Sequence, residues 1–193
     1  MDQFIGYFMD AARWLIILLL TLVYPDNFSS WSGKVVEVVR PEEIRVMKNG
    51  TVENVRLYSI DTPLELQAFG ETAQKYVSDR VLDKVVRVQP LPAGIKGTWD
   101  KREISRHDRY NRIIGLVWID GESLNKELVR QGMAWWYKPF VPFERGYKHL
   151  QDQARRDKLG LWAFPDVVPP WEFQDTAIET VHPWVDKTHK KKK

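Results

Sequence analysis

The sequence contains no cysteine. That absence excludes disulfide scaffolds, zinc–thiolate sites and thiol nucleophiles. Histidine is almost as scarce. His107, His149, His182 and His189 stand far apart, and no His-x-x-x-His or Glu-x-x-His pair falls on a helical pattern, which argues against a zinc hydrolase. A glycine-rich phosphate loop and a nucleophile elbow are also missing, so neither a P-loop enzyme nor a serine hydrolase of that type is indicated. Nor does charge of one sign dominate: the formal net charge is only +3, and part of it comes from the terminal run Lys190 to Lys193. Composition alone therefore does not announce a polyanionic partner. Internal repeats and coiled-coil heptads are absent. What remains is a chain of 193 residues, 44% apolar and 28% charged, which is the balance of one folded domain with tails rather than of a disordered chain or two domains.

Long hydrophobic runs are limited to one. Trp14 to Tyr24 carries no charge but is shorter than the ~20 residues of a membrane span, and extension back to Phe4 brings in Asp10 and Arg13. Two readings fit this N-terminal hydrophobic helix: an uncleaved signal anchor, or a signal peptide that is removed. Tyr24-Pro25-Asp26-Asn27 lacks a small-x-small cleavage pattern, which favours the anchor. Either reading gives a membrane-anchored or exported, extracytoplasmic protein. A helix buried in the domain is the remaining alternative. The chain divides into a signal segment and linker over 1–30, a folded domain over 31–165, and a proline- and lysine-rich tail over 166–193.

Within the domain, alternating β-branched residues predict strands over 31–40, 43–48 and 51–60, with Asn49-Gly50 as a two-residue hairpin turn. Ala73, Tyr76, Val77 and Val81 have helical spacing, so 71–82 reads as a helix. Strands follow at 84–89 and 113–119, separated by a polar loop. Helices follow at 123–131, with Ser123 as N-cap and Gly132 as stop, and at 143–159, ended by Gly160. This order predicts an α+β fold: a five-stranded barrel of the OB type with three helices.

Four blocks then carry chemistry. Val55 to Pro63 reads VRLYSIDTP, with Gln67, Phe69 and Gly70 beyond it. Asp108 to Arg112 reads DRYNR. Asp120-Gly121 precedes LNKELVRQGMA over 124–134, and Gly160-Leu161-Trp162 closes the series. In this order, over about Trp31 to Trp162, the blocks resemble the staphylococcal nuclease (thermonuclease) family. The resemblance implies a calcium-dependent endonuclease that hydrolyses phosphodiester bonds of DNA and/or RNA, acts as a monomer, and leaves 3′-phosphates.

The residue types suit that chemistry. A phosphodiester is anionic, and its displacement spreads further charge over the phosphoryl oxygens. Permanently protonated planar guanidiniums match that charge with paired hydrogen bonds. The resemblance assigns this role to Arg56 and Arg112, and alanine at either is expected to cut turnover while leaving the fold intact. It makes Glu42, Asp61 and the Thr62 carbonyl ligands of Ca2+, a cation that takes several oxygen donors. It places Tyr110 and Tyr137 against the nucleotide, where aromatic rings stack on bases.

Two departures from the family pattern matter. The turn before the second strand reads Arg40-Pro41-Glu42-Glu43 where the family has D-G-D-T, so Glu42 stands on an aspartate position and the turn differs in shape. The catalytic glutamate expected after Pro63 is replaced by Leu64, with Glu65 one residue later. Glu65 is the candidate general base. The departures also keep open an alternative, a catalytically weakened or inactive module on the same barrel that binds nucleic acid or protein.

Overall fold

The computed structural model describes residues 30–91, 95–96, 103–104, 107–137, 145–165 and 167–173. The hydrophobic segment expected before residue 30 lies outside them. Among the described residues no helix is long and apolar enough to cross a membrane.

The strands follow from alternation of β-branched residues, and one turn fixes their first register. β1 (Trp31–Arg40) pairs antiparallel with β2 (Glu43–Lys48), which pairs with β3 (Thr51–Leu57) through the Asn49-Gly50 turn. Both turn residues have positive φ, 48° and 84°, the conformation that Asn-Gly supplies at little steric cost. β1 carries register shifts between Val35 and Glu37 and between Val38 and Arg40. Such bulges bend and coil a strand, and β1 uses the curvature to reach its other neighbour, β5 (Val85–Pro90).

β5 pairs antiparallel with β8 (Ile113–Ile119), and β8 pairs parallel with β3. That last pairing closes the sheet. The result is a closed, mixed five-stranded barrel with three helices, an α+β fold like that of the OB barrels. Its interior is filled by Val35, Ile44, Val46, Val55, Leu57, Val86, Val88 and Val117, all essentially inaccessible to solvent. At ~1.5–3 kcal/mol for each fully buried aliphatic side chain, this layer is the main source of cohesion.

The third strand is shorter than its sequence suggests. β3 ends at Leu57, Ser59 adopts a left-handed φ of 66°, and a separate β4 (Ile60–Asp61) continues. The break re-aims the chain so that Ile60 and Asp61 pair with β10 (Trp135–Trp136) and not with β2. The polar stretch read as a loop contains two short paired strands, β6 (Ile95–Lys96) and β7 (Glu103–Ile104).

The helices sit around the barrel. α1 (Gly70–Val81) buries Ala73, Val77 and Val81, a stripe spaced by four residues, and its Gln74 donates to the Val38 carbonyl of β1 at 2.8 Å. Gly70 is required by contact: a Cβ there would lie 2.2 Å from the Leu64 carbonyl oxygen, so the preceding loop can cross the helix start only over glycine. β9 (Glu122–Ser123) leads into α2 (Leu124–Arg130), capped by the Ser123 hydroxyl accepting from the Lys126 N–H. α3 (Arg145–Arg156) buries Tyr147, Gln151 and Ala154, and Gln151 accepts from the Trp136 N–H at 2.9 Å. The chain then makes a 3-10 turn, Gly160–Ala163, and residues 167–173 fold back along the barrel.

Candidate active site

Three chain segments converge at one end of the barrel. The turn between β1 and β2 brings Glu42 and Glu43, the end of β3 with β4 brings Arg56, Asp61 and Thr62, and the turn before β8 brings Asp108, Tyr110 and Arg112. Charged residues on a turn are ordinarily solvated, yet Glu42 is 1% exposed here. The turn folds inward because the Glu42 carbonyl accepts from the Leu57 N–H at 2.8 Å, in effect extending the β2–β3 ladder.

Arg56 emerges from the last turn of β3 between two carboxylates. Its Nη1 lies 3.5 Å from Glu42 Oε1, and its Nη2 donates to Asp61 Oδ1 at 3.3 Å. Burial disfavours charge on the guanidinium, but Asp61 and Glu42 outweigh it and hold Arg56 above its ordinary value. Burial pushes Asp61 up to about 6; Arg56 opposes that rise, and the neighbouring Glu42 carboxylate adds to it. Thr62, 1% exposed, donates its hydroxyl to Glu42 Oε2.

Arg112 is the second guanidinium, buried to 6% exposure. One edge is held by its own turn: Nε and Nη2 donate to Asp108 Oδ2 at 2.7 and 2.6 Å. Asp108 Oδ1 also accepts from the backbone N–H groups of Tyr110 and Arg112, which freezes the turn. Burial would raise Asp108, but the bonds from the Arg112 side chain and backbone prevail and hold it below the usual carboxylate value. The other edge of Arg112 reaches across the barrel, with Nη1 2.5 Å from Glu43 Oε2. Glu43 is the direct cross-strand partner of Arg56, so their side chains leave the sheet on the same face. Arg40 lies 3.8 Å from the same Glu43 oxygen. Arg56, paired with Glu42 and Asp61, and Arg112, paired with Glu43 and Asp108, thus lie in adjacent ionic clusters that meet at the Glu42-Glu43 turn, and Asp108 is near enough to Arg56 to help keep it charged.

Tyr110 is 41% exposed and lies over Arg112, 5.2 Å from ring centroid to guanidinium carbon, with Arg109 at 5.0 Å. Tyr137 follows β10, donates its N–H to the Ser59 carbonyl at 2.8 Å, and meets Trp171 edge to face at 5.3 Å. Leu64 is buried. Glu65 is exposed and lines a cleft of about 350 Å³ together with Arg40, Glu42, Glu71, Gln74 and Lys75. The structure therefore gathers Glu42, Arg56, Asp61, Thr62 and Arg112 at one end of the barrel, sets Glu65 in a cleft that reaches Glu42, and places Tyr137 to the side, against β4.

Three residues in or beside the site carry no role in the sequence reading. Glu43 opens β2 beside a charged turn, and only its burial and its contact with Arg112 reveal its part in the site. Asp108 was visible in the DRYNR block, and its spacing of four from Arg112 was the signal. Asn125 is fully buried; its amide donates to the carbonyls of Tyr58 and Gly115 and its oxygen accepts from the Val117 N–H, tying α2 to β8 and to the turn that leads into Asp61. The two clusters together have four carboxylates (Glu42, Glu43, Asp61, Asp108) against three guanidiniums (Arg40, Arg56, Arg112), an excess of one negative charge.

The family model described as staphylococcal nuclease homologue matches residues 54–164. The chain belongs to the staphylococcal nuclease homologue family. It is 32% identical over 165 residues to an uncharacterized endonuclease of Escherichia coli, covering 82% of this chain and 95% of that protein. It is 28% identical to a micrococcal nuclease of Shigella flexneri over 86% of this chain and 93% of the relative. A thermonuclease of Staphylococcus hyicus is 27% identical over 72% of this chain and 79% of its own length.

For a cation, the site offers hard oxygen donors and an uncompensated negative charge, which suit a calcium-like ion. Among the described residues no group of three or more His, Asp or Glu side chains is placed to hold a metal.

Proposed function

We propose that this protein is a nuclease that hydrolyses phosphodiester bonds of nucleic acid with Arg56 and Arg112 as its phosphate-binding pair. The observation that carries this reading is the convergence of two buried guanidiniums, from positions 56 and 112, on the neighbouring carboxylates of one turn, Glu42 and Glu43, in a family whose relatives are named endonuclease and thermonuclease. Glu42 and Asp61 orient Arg56, and Asp108 orients Arg112, before substrate arrives. The guanidiniums then need not be re-aimed as charge grows on the phosphoryl oxygens, which is how preorganised donors favour a transition state over a ground state.

Glu42, Asp61 and the Thr62 carbonyl are the residues that hold Ca2+, which supplies charge neutralisation and a polarised phosphoryl oxygen when bound. Thr62 also fixes Glu42 through its hydroxyl. Glu65 takes a proton from the water that attacks phosphorus. The bond to the leaving 5′ oxygen breaks, that oxygen is protonated, and the product keeps a 3′-phosphate. Tyr110, partly exposed beside Arg112, presents its ring to the neighbouring base, and Tyr137, which packs on Trp171 to the side, is assigned to the nucleotide by the family resemblance. The domain acts as a monomer on DNA and/or RNA, outside the cytoplasm, either exported or anchored to a membrane by the segment before residue 30.

One observation favours a second reading. Leu64 is buried where the family carries its glutamate, and Glu65 is exposed and is not part of the arginine network. If Glu65 does not reach the attacking water, the barrel is a weakened enzyme or a binding module. Plasmid digestion with added calcium and with a chelator separates the two. Calcium-dependent cleavage supports the nuclease, whereas binding of single strands by a folded protein that cuts nothing supports the module.

A further inference from the structure

Each nitrogen of the Arg112 guanidinium has a carboxylate partner, but its two edges are engaged differently. Asp108 comes from the same turn, accepts from Nε and Nη2, and is itself pinned by two backbone N–H groups. It is a fixed mount. Glu43 comes from another strand and meets Arg112 through a single oxygen, Oε2, at Nη1. Nη1 belongs to the edge that Asp108 leaves available, which is where a phosphate would have to bind. The register puts Glu43 directly opposite Arg56, so the two side chains leave the sheet on the same face, and the Glu43 oxygen that meets Arg112 also lies 3.8 Å from Arg40. A carboxylate presents planar, anionic oxygens to a guanidinium much as a phosphate does.

We propose that Glu43 is the resident counter-ion of the phosphate seat: its carboxylate holds the Arg112 Nη1 edge in the empty site, and an incoming phosphodiester must displace it. This rests on the reading of Arg112 as a phosphate-binding residue. Glu43 is then a positioning residue that keeps Arg112 ordered and neutralised while the site is empty. It also sets a threshold: an anion that brings only one phosphate competes with a preformed ion pair, whereas a polynucleotide with further contacts outcompetes it.

The proposal differs in sign from a purely structural role. If Glu43 only supported Arg112, its removal would loosen the guanidinium and weaken phosphate binding. If Glu43 competes with phosphate, neutralising it strengthens binding. Glutamine at this position preserves the length and one acceptor oxygen for Nη1 while removing the charge. The test measures binding of inorganic phosphate by calorimetry and of fluorescent oligothymidylate by anisotropy, both in chelator at fixed salt. The proteins compared are the full chain, Glu43→Gln and Arg112→Ala. Glu43→Gln is expected to bind both ligands about tenfold more tightly, a change of about 1.4 kcal/mol, and to lower KM more than it changes kcat. Arg112→Ala is expected to bind phosphate more weakly than the unaltered chain. Equal or weaker binding by Glu43→Gln overturns the proposal, as does a lack of phosphate binding by all three proteins. Should Glu43→Gln not fold, Glu43→Asp, which withdraws the carboxylate by one methylene, is expected to bind about threefold more tightly, and equal or weaker binding again overturns the proposal. A chain that binds phosphate through Arg112 but cuts nothing removes the nuclease reading alone; the sign of the Glu43→Gln shift still decides this one.

Discussion

Replacing Arg56 with alanine is expected to damage stability and turnover together. The side chains of Arg56, Glu42 and Asp61 are only 13%, 2% and 7% exposed. Alanine would leave two carboxylates facing each other with little access to water. Removing one partner of a buried ion pair costs about 3–5 kcal/mol, most of it the penalty of the abandoned charge. For a domain of this size that is roughly 10–20 °C in melting temperature. Loss of one preorganised donor to the phosphoryl oxygens lowers turnover by about 10²–10³-fold. The expectation from sequence, that the fold would be untouched, is thus revised by the burial of this network. Arg56→Lys separates the two effects: it retains charge and recovers part of the stability, but it lacks the planar fork and recovers little turnover. The assay is a thermal melt run beside cleavage of a quenched fluorescent oligonucleotide at a temperature where both variants are folded. Arg56→Ala melting within about 2 °C of the unaltered protein and cleaving at its rate would refute the reasoning.

Other expectations follow from the same geometry. Glu65→Gln is expected to lower kcat by ~10²–10⁴-fold with little change in melting temperature, since Glu65 is exposed; unchanged kcat in single-turnover cleavage assigns the proton transfer elsewhere. Asn125→Ala removes three buried hydrogen bonds and is expected to cost about 2–4 kcal/mol in urea unfolding; a cost under ~1 kcal/mol contradicts the tethering role. Asp108 is held below its ordinary value by Arg112, so its contribution to stability is present above the unfolded pKa near ~3.9 and is lost as pH falls through the folded value. Asp108→Asn should therefore be less stable than the unaltered protein at neutral pH, with a gap that narrows below about pH 4; a gap independent of pH rules this out. Trp171→Ala, which strips the ring that meets Trp135 and Tyr137, is expected to raise KM for oligothymidylate several-fold more than it lowers kcat.

Much of the barrel was legible because its signals are local. Alternating β-branched residues in β1, β2 and β5 mark half-buried strands whatever they pair with, and Asn49-Gly50 fixes a hairpin through the φ that only such residues adopt easily. Arg56, Asp61 and Arg112 were legible as site candidates because they stand within long blocks of family pattern. The parts that were not legible depend on contacts between distant segments. Nothing near Glu42 and Glu43 announces that their turn is buried; that follows from the Glu42 carbonyl bonding to Leu57 and from Arg112 arriving 69 residues later. The break of the third strand at Ser59 was invisible because Tyr58-Ser59-Ile60 suits a strand, and it is the pairing with β10 that turns the chain. Residues 167–173 read as tail by composition, yet the Val168 carbonyl accepts from Gln67 and Trp171 packs on Trp135, contacts that no local pattern encodes.

In the proposed function two arginines, Arg56 on β3 and Arg112 from the turn before β8, grip one phosphate beside a cation held by Glu42 and Asp61. A crystal structure of the protein soaked with calcium and a phosphorothioate thymidine dinucleotide tests it most directly. The account predicts one phosphoryl group within hydrogen-bond reach of both Arg56 and Arg112, with Glu43 turned away from Arg112 and the cation on Glu42 and Asp61. A dinucleotide bound elsewhere, with the Glu43–Arg112 pair intact and no cation on the two carboxylates, would contradict it.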